Sequence, residues 1–256
     1  LIAAYGTGFS FILNGISYLG VMIALLNIRE RELFIEVHER SSTKIRQAFK
    51  YVAARPDIIA VMLTVFFATS FGLNFNIFNT MMATAVFDKS AAEYGLLGSI
   101  LAIGSLSGAI VSARLEKKRD PRFVMRGAML FSLVLVISSF APNYITYAIL
   151  LPIIGFIALV TFIAANTMVQ LRTDSAIRGR VMGIYLTVFL GGTPIVSPFI
   201  GWMTQELGTR ITISICGAIA FTAAAITYAK FKDKGDAPES VLVSDVLEAA
   251  YEDKKD

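Results

Sequence analysis

The sequence predicts an all-α integral membrane protein, a bundle of seven transmembrane helices. Two observations carry this reading. Of 256 residues, 55% are hydrophobic and only 16% charged, with a mean hydropathy of +0.66, and the apolar residues fall in long charge-free runs at 1–28, 58–87, 94–113, 127–170, 181–205 and 211–229. Soluble domains carry about 25% charged residues, so this chain lacks the polar coat of a water-soluble globule, and the same composition excludes disorder. A hydrocarbon layer of ~30 Å takes about 20 helical residues. Each run is therefore one crossing, except 127–170, which is two crossings with a turn at Ala141-Pro142-Asn143. None alternates, and all far exceed the ~10 residues of a barrel strand.

Taken in order, residues 1–28 form the first crossing. The chain is apolar from Leu1 onward, which reads as part of a longer protein. Residues 29–57 form a loop, within which Ile45, Phe49 and Val52 recur at helical spacing while Lys44, Arg46 and Lys50 take other faces. This is the pattern of a short helix at the headgroups or of a plain connector. Residues 58–231 hold the remaining six crossings. Residues 232–256 form a polar tail with a helical turn or two around Val246 and Leu247.

The chain carries a net charge of +4 and a sequence pI of about 9.2, but in a membrane protein the placement of charge outweighs its sum, and nothing here calls for nucleic acid. All but two of the 23 Lys and Arg residues lie in 29–57, 114–126, 172–180 and 230–256, Lys89 and Arg210 being the exceptions. The basic side is predicted to be cytoplasmic, with the C-terminus on it. One Cys and one His exclude disulfides, zinc modules and the HExxH metalloproteases, and neither a P-loop nor GxGxxG occurs, so no metal or cofactor is expected. Rhomboid-type catalysis needs a membrane-embedded His, whereas His38 lies in the loop, and aspartyl types need two membrane Asp residues, of which there are none. An enzyme is not expected.

The segment Gln170-Leu171-Arg172-Thr173-Asp174-Ser175-Ala176-Ile177-Arg178-Gly179-Arg180-Val181-Met182-Gly183-Ile184-Tyr185, with Gly191-Gly192-Thr193-Pro194-Ile195 after it, resembles major facilitator superfamily transporters, in particular the exporter branch of enterobactin exporters and macrolide-efflux proteins. Phe11-Ile12-Leu13-Asn14-Gly15-Ile16-Ser17-Tyr18 is similar to that branch's sixth helix. The resemblance implies a twelve-helix carrier in two halves. Residues 1–28 would then be helix six of the N-terminal half, 29–57 the cytoplasmic loop between halves, 58–231 the C-terminal six-helix bundle and 232–256 a cytoplasmic tail. Helices one to five would be missing partners. It further implies a multi-pass protein of the bacterial inner membrane that effluxes a small molecule, siderophore-, macrolide- or drug-like, by alternating access and coupled to protons. The stretch from Gly108 to Asp120 sits where the family's second basic loop motif would be; it keeps the basic character and lacks that motif's Asp and Gly.

Candidate residues follow. In the 58–87 run at 100° per residue, Thr69, Asn76, Asn79 and Thr80 share one face, and Phe67, Phe71, Phe75 and Phe78 another. By resemblance this helix lines the cavity, so the polar set contacts substrate; its bland alternative is interhelical hydrogen bonding at ~0.6 kcal/mol each. Asn166 and Gln170, one turn apart, are candidates on the same grounds, while Asn14 reads as structural. Gly104 with Gly108, and Gly95 with Ser99, allow close backbone approach. Gly191, Gly192, Pro194 and Pro198 provide either a hinge or a fixed kink. Arg178 and Arg180 open a helix whose positive dipole end favours an acid, so they call for an anion. Asp174 would orient them and an Asp of the missing half would close a gate on them; the alternative is positive charge that sets topology. No ionisable group lies within a run, so a proton carrier belongs to the missing half or to a rim residue, Asp57, Asp174 or Glu206. A non-transporting membrane scaffold or receptor-like helical protein is the alternative to transport.

Overall fold

The computed structural model of the chain describes residues 2–27, 45–114 and 120–234. Among them every regular element is helical: α1 (Ile2–Leu26), α2 (Ile45–Ala54), α3 (Pro56–Phe67), α4 (Phe75–Met81), α5 (Ala91–Arg114), α6 (Pro121–Ser139), α7 (Tyr144–Leu171), α8 (Arg178–Leu207) and α9 (Thr209–Lys234), with π-helical turns at Ala68–Gly72 and Met82–Val86. Residues 29–44, the basic residues Lys117, Lys118 and Arg119, and the tail turn at Val246 and Leu247 lie outside the described residues. The chain divides into two units, 1–41 and 42–256. In the first, α1 is a helix of 25 residues, and its stretch Phe11–Leu26 is apolar. In the second, six helices are long and apolar enough to cross a membrane.

Local chemistry sets the helix ends. Pro56 opens α3, where its missing N–H costs nothing, and Asp57 in the first turn answers the positive end of the helix. Asp120 caps α6 by accepting the Arg122 N–H at 3.0 Å, with Pro121 next in line. The helix consequently starts at Pro121, before the charge-free run, and carries Arg122 and Arg126 on its own surface. Asn143 caps α7 through the Thr146 N–H at 2.9 Å. Gly208, at φ +85°, makes the one-residue reversal between α8 and α9 that a side chain would strain.

The six long helices run alternately up and down, placing Arg55, Arg114, Arg122, Arg172 and Arg178 at one end, the basic end, and Lys89 and Arg210 at the other. Packing is closest between α5 and α7. A Cβ on Gly104 would lie 2.1 Å from the Pro152 carbonyl oxygen, one on Gly108 2.6 Å from that of Phe156, and one on Gly155 2.6 Å from that of Leu101. The backbones therefore touch, as small residues at i and i+4 permit. Gly95 has nothing near its Cβ position, so the small-residue face expected to continue there takes no part in this contact. The fully buried Tyr147, Tyr185, Phe78 and Phe131 fill the centre. At the end opposite the basic one, Arg210 donates to the carbonyls of Ser139 (2.8 Å) and Ala141 (2.7 Å), closing the C-terminus of α6.

Candidate functional site

The Pro56–Val86 span is the most buried of the six, and it is not one helix. After the π-helical turn Ala68–Gly72, Leu73 (ψ 24°) and Asn74 (ψ 39°) leave helical geometry before α4 resumes. Gly72 and Asn74 are weak helix formers, and a third element holds the break open. Asn74 donates through Nδ2 to the Ser70 carbonyl at 2.7 Å and accepts the Ser197 hydroxyl on Oδ1, also at 2.7 Å. Ser197 lies on α8 between Pro194 and Pro198, and its single proton is shared with the Thr193 carbonyl, again at 2.7 Å. Helix α8 runs unbroken through both prolines. Beside this junction Gly192 presses on the π-helical turn: its Cβ would fall 1.7 Å from Ser70 Oγ and 2.9 Å from the Phe66 ring. Gly72 is equally committed, since its Cβ would sit 2.4 Å from the Phe131 ring.

The break separates residues that a continuous helix would align. Thr69 and Asn79 are buried, Thr80 is half-buried and Asn76 is exposed. Asn79 accepts the Tyr147 hydroxyl on Oδ1 at 2.8 Å within the core. Thr69 donates to the Phe66 carbonyl and Thr80 to that of Asn76. The single aromatic face expected for this span divides as well: Phe67 and Phe71 stack on each other at 6.2 Å, Phe75 meets Phe131 of α6 at 6.3 Å, and Phe78 is buried. From Phe131 the contacts continue to Phe162 (5.8 Å), Phe189 (5.6 Å) and Tyr185 (6.0 Å), an aromatic path across α6, α7 and α8. Ser70 Oγ and Tyr185 Oη are buried without a hydrogen-bond partner among the described residues, an uncommon condition for such groups. On α7, Gln170 donates to Asn166 Oδ1 at 2.6 Å.

A second cluster holds the basic end. Arg55 grips Asp57 in a two-pronged fork, Nε to Oδ1 at 3.0 Å and Nη2 to Oδ2 at 2.9 Å, and Arg172 from the α7–α8 connection adds Nη1 to Oδ2 at 3.2 Å. Tyr51 of α2 accepts from Arg55 Nη1 and donates to the Arg172 carbonyl, both at 3.2 Å. Burial raises the Tyr51 hydroxyl pKa above its ordinary value, against the opposing pull of Arg55, so it remains a donor at neutral pH. This unit ties α2, α3 and the α7–α8 connection together. The remaining gating candidates are placed close by: Asp174 accepts the Ala176 N–H at 2.8 Å, and Arg178 turns back to the Thr173 carbonyl at 3.4 Å through Nε and Nη2.

Sequence reasoning missed Asn74, Ser197, Tyr147 and the pairing of Asp57. Gly72 and Asn74 within three residues were the available signal for a break; the pairing partners, far away in sequence, left none.

The described residues thus form a helical bundle whose most buried span is interrupted and stitched to a proline-containing neighbour. Over residues 1–249 the chain matches the MFS_3 family, described as transmembrane secretion effector, and it belongs to that family of the major facilitator type. Among curated proteins it is similar to the enterobactin exporter EntS of Salmonella typhi, 21% identical over 218 residues, covering 85% of this chain and 52% of that protein. It is similar also to EntS of Shigella boydii serotype 18 (strain CDC 3083-94 / BS512) and of Escherichia coli O81 (strain ED1a), each 26% identical over 129 residues, covering 50% of this chain and 31% of the relative. The chain spans about half, or less, of the length of these relatives.

Proposed function

We propose that the chain is the trailing part of a twelve-helix secondary exporter in the bacterial inner membrane, with the basic end and the C-terminus in the cytoplasm. It moves a small amphipathic molecule outward by alternating access, coupled to protons. The observation that carries this reading is the interrupted Pro56–Val86 span. Backbone that departs from helix at membrane depth is tolerated only where protein buries it or where it lines a cavity, and interrupted helices near the midplane are where secondary carriers bind substrate. Relatives that are enterobactin exporters, of which the matched part is 52%, support both the efflux and a second half that completes the cavity wall.

In this reading Asn76, Thr80, Asn166 and Gln170 face the pathway, and Thr69 and Asn79 stand behind them as its buried support. Ser70 and Tyr185, with unanswered hydroxyls, supply further contacts when the junction opens. Gly191, Gly192 and Pro194 form the flexing part of α8, sliding on the π-helical turn. Asp174, Arg178 and Arg180 form the cytoplasmic gate, completed by an acid of the other half. The titrating carboxylate lies in that half, since Asp57, the best placed rim acid, is committed to Arg55 and Arg172.

The test is efflux of a panel of siderophore-, macrolide- and dye-like compounds from cells expressing the full-length protein, with and without a proton uncoupler. The expected result is reduced accumulation of at least one compound, abolished by the uncoupler. Accumulation equal to that of empty cells for every compound would favour a non-transporting scaffold instead.

A further inference from the structure

At the basic end an open groove of about 710 Å³ separates α3 from α9, walled by Pro56, Ile59 and Leu63 on one side and Ile226, Lys230 and Phe231 on the other. Its volume falls in the range of small-molecule sites, ~300–1,000 Å³. The wall on α3 repeats at three and four residues, one face of the helix for two turns, so the groove runs about 10 Å along the helix axis. Its lining is mostly apolar; Thr227 spends its hydroxyl on the Ala223 carbonyl, and Lys230 at the end is exposed. Helix α2 meets the groove at Ala53. Its buried face, Ala48, Tyr51 and Val52, packs on the bundle, while Ile45 (67% exposed) and Phe49 (56%) form a stripe that continues into Ala53. Arg46 and Lys50, both exposed, lie just beyond that stripe.

We infer that this groove holds an acyl chain of an anionic phospholipid, with the phosphate between Lys230 and the basic flank of α2. The occupant follows from the arrangement. Both walls belong to helices long and apolar enough to cross a membrane, so lipid is the medium that meets them. The apolar lining ends in cations at the level where headgroups begin, and Ile45 and Phe49 enter the same layer, as an interfacial helix requires. Among the described residues the one buried acid, Asp57, is taken by Arg55 and Arg172 and does not repel a phosphate. The bound lipid then braces α2 against α3 and α9, so that lipid composition acts on the connection that ties α2 to the bundle. This inference does not depend on what is transported.

The experiment places a single reporter in the groove. Trp202→Phe removes the one Trp of these 256 residues, any Trp in the remainder of the protein is likewise replaced by Phe, and Ile226→Trp, at an exposed position, introduces one. The protein is reconstituted in vesicles of mixed phosphatidylglycerol and phosphatidylcholine, with bromine on the acyl chains of one lipid or the other. Brominated phosphatidylglycerol is expected to quench about five-fold more effectively per molecule, the ~1 kcal/mol that one lysine contributes near an anionic surface. That preference is reduced in Lys230→Gln, falls to near unity when Arg46→Gln and Lys50→Gln are added, and is kept in Lys230→Arg. A control reporter at exposed Leu130 of α6 shows no preference. Equal quenching by both lipids at position 226, or a preference that survives the combined Lys230→Gln, Arg46→Gln and Lys50→Gln variant, would overturn the assignment. So would the absence of quenching by either lipid, which would mean that protein, a second copy or another segment, covers the groove.

Discussion

Replacing Asp57 by Asn tests the cluster that holds α2, α3 and the α7–α8 connection together. The carboxylate accepts three charge-assisted bonds, two from Arg55 and one from Arg172. Asn keeps the volume and one acceptor, but removes the charge and turns an NH2 toward guanidinium donors. The side chain of Arg55 is only 8% exposed, so it loses its counter-charge without gaining water. Removing one partner of a buried pair costs about 3–5 kcal/mol. Arg172 is 30% exposed, and Arg172→Gln leaves the fork intact, so it should cost about 1 kcal/mol, as partly solvated pairs do. The double variant should fall short of the sum, because in Asp57→Asn Arg172 has already lost its acceptor. The assay is denaturant unfolding of the purified protein in detergent, followed by circular dichroism. The reasoning fails if Asp57→Asn is no more destabilising than Arg172→Gln, which would mean that water reaches the fork and the charges are not committed to each other.

Other perturbations probe the packing and the gate. Gly104→Ala places a methyl group against the Pro152 backbone, which cannot rotate aside, so α5 and α7 must separate; a loss of about 1–3 kcal/mol or more is expected in the same unfolding assay. Asn74→Ala frees the Ser197 hydroxyl to bond the Thr193 carbonyl alone and removes the bridge to α8. It should cost stability by only about 0.6 kcal/mol yet lower transport severalfold, measured as efflux at equal expression. Arg178→Ala and Arg180→Ala should each increase labelling of the pathway from the cytoplasmic side, and unchanged transport and accessibility in both would reject the gate.

The sequence made the membrane character and the close backbone approach at Gly104 and Gly108 legible, though not its partner α7, for different reasons. Charge-free runs report the solvent directly, and Gly104 with Gly108 carries its own geometric meaning, since only small residues four apart let backbones touch. The break at Leu73–Asn74 was hidden because the 58–87 run contains no proline and a regular 100° step fits it without contradiction. What opens it is the bond from Ser197, 123 residues further on, and once it opens the aligned set of Thr69, Asn76, Asn79 and Thr80 divides into buried and exposed members. Asp57 was legible as a rim acid, but its commitment to Arg172 spans 115 residues and could not be read from charge counting. Arg178 was read as needing an anion; in this structure the Thr173 carbonyl, at the end of the preceding turn, receives its guanidinium.

The most direct test of the account is thiol accessibility in the pathway. Cys216 is the one cysteine of this sequence and is buried; with it and any cysteine of the remaining half replaced by Ser, Asn76→Cys and Asn166→Cys in the full-length protein report on the pathway. A membrane-impermeant thiol reagent applied from either side should label both positions, and a transported compound should shift labelling in opposite directions on the two faces. Labelling confined to one face and indifferent to every exported compound would contradict alternating access through this junction.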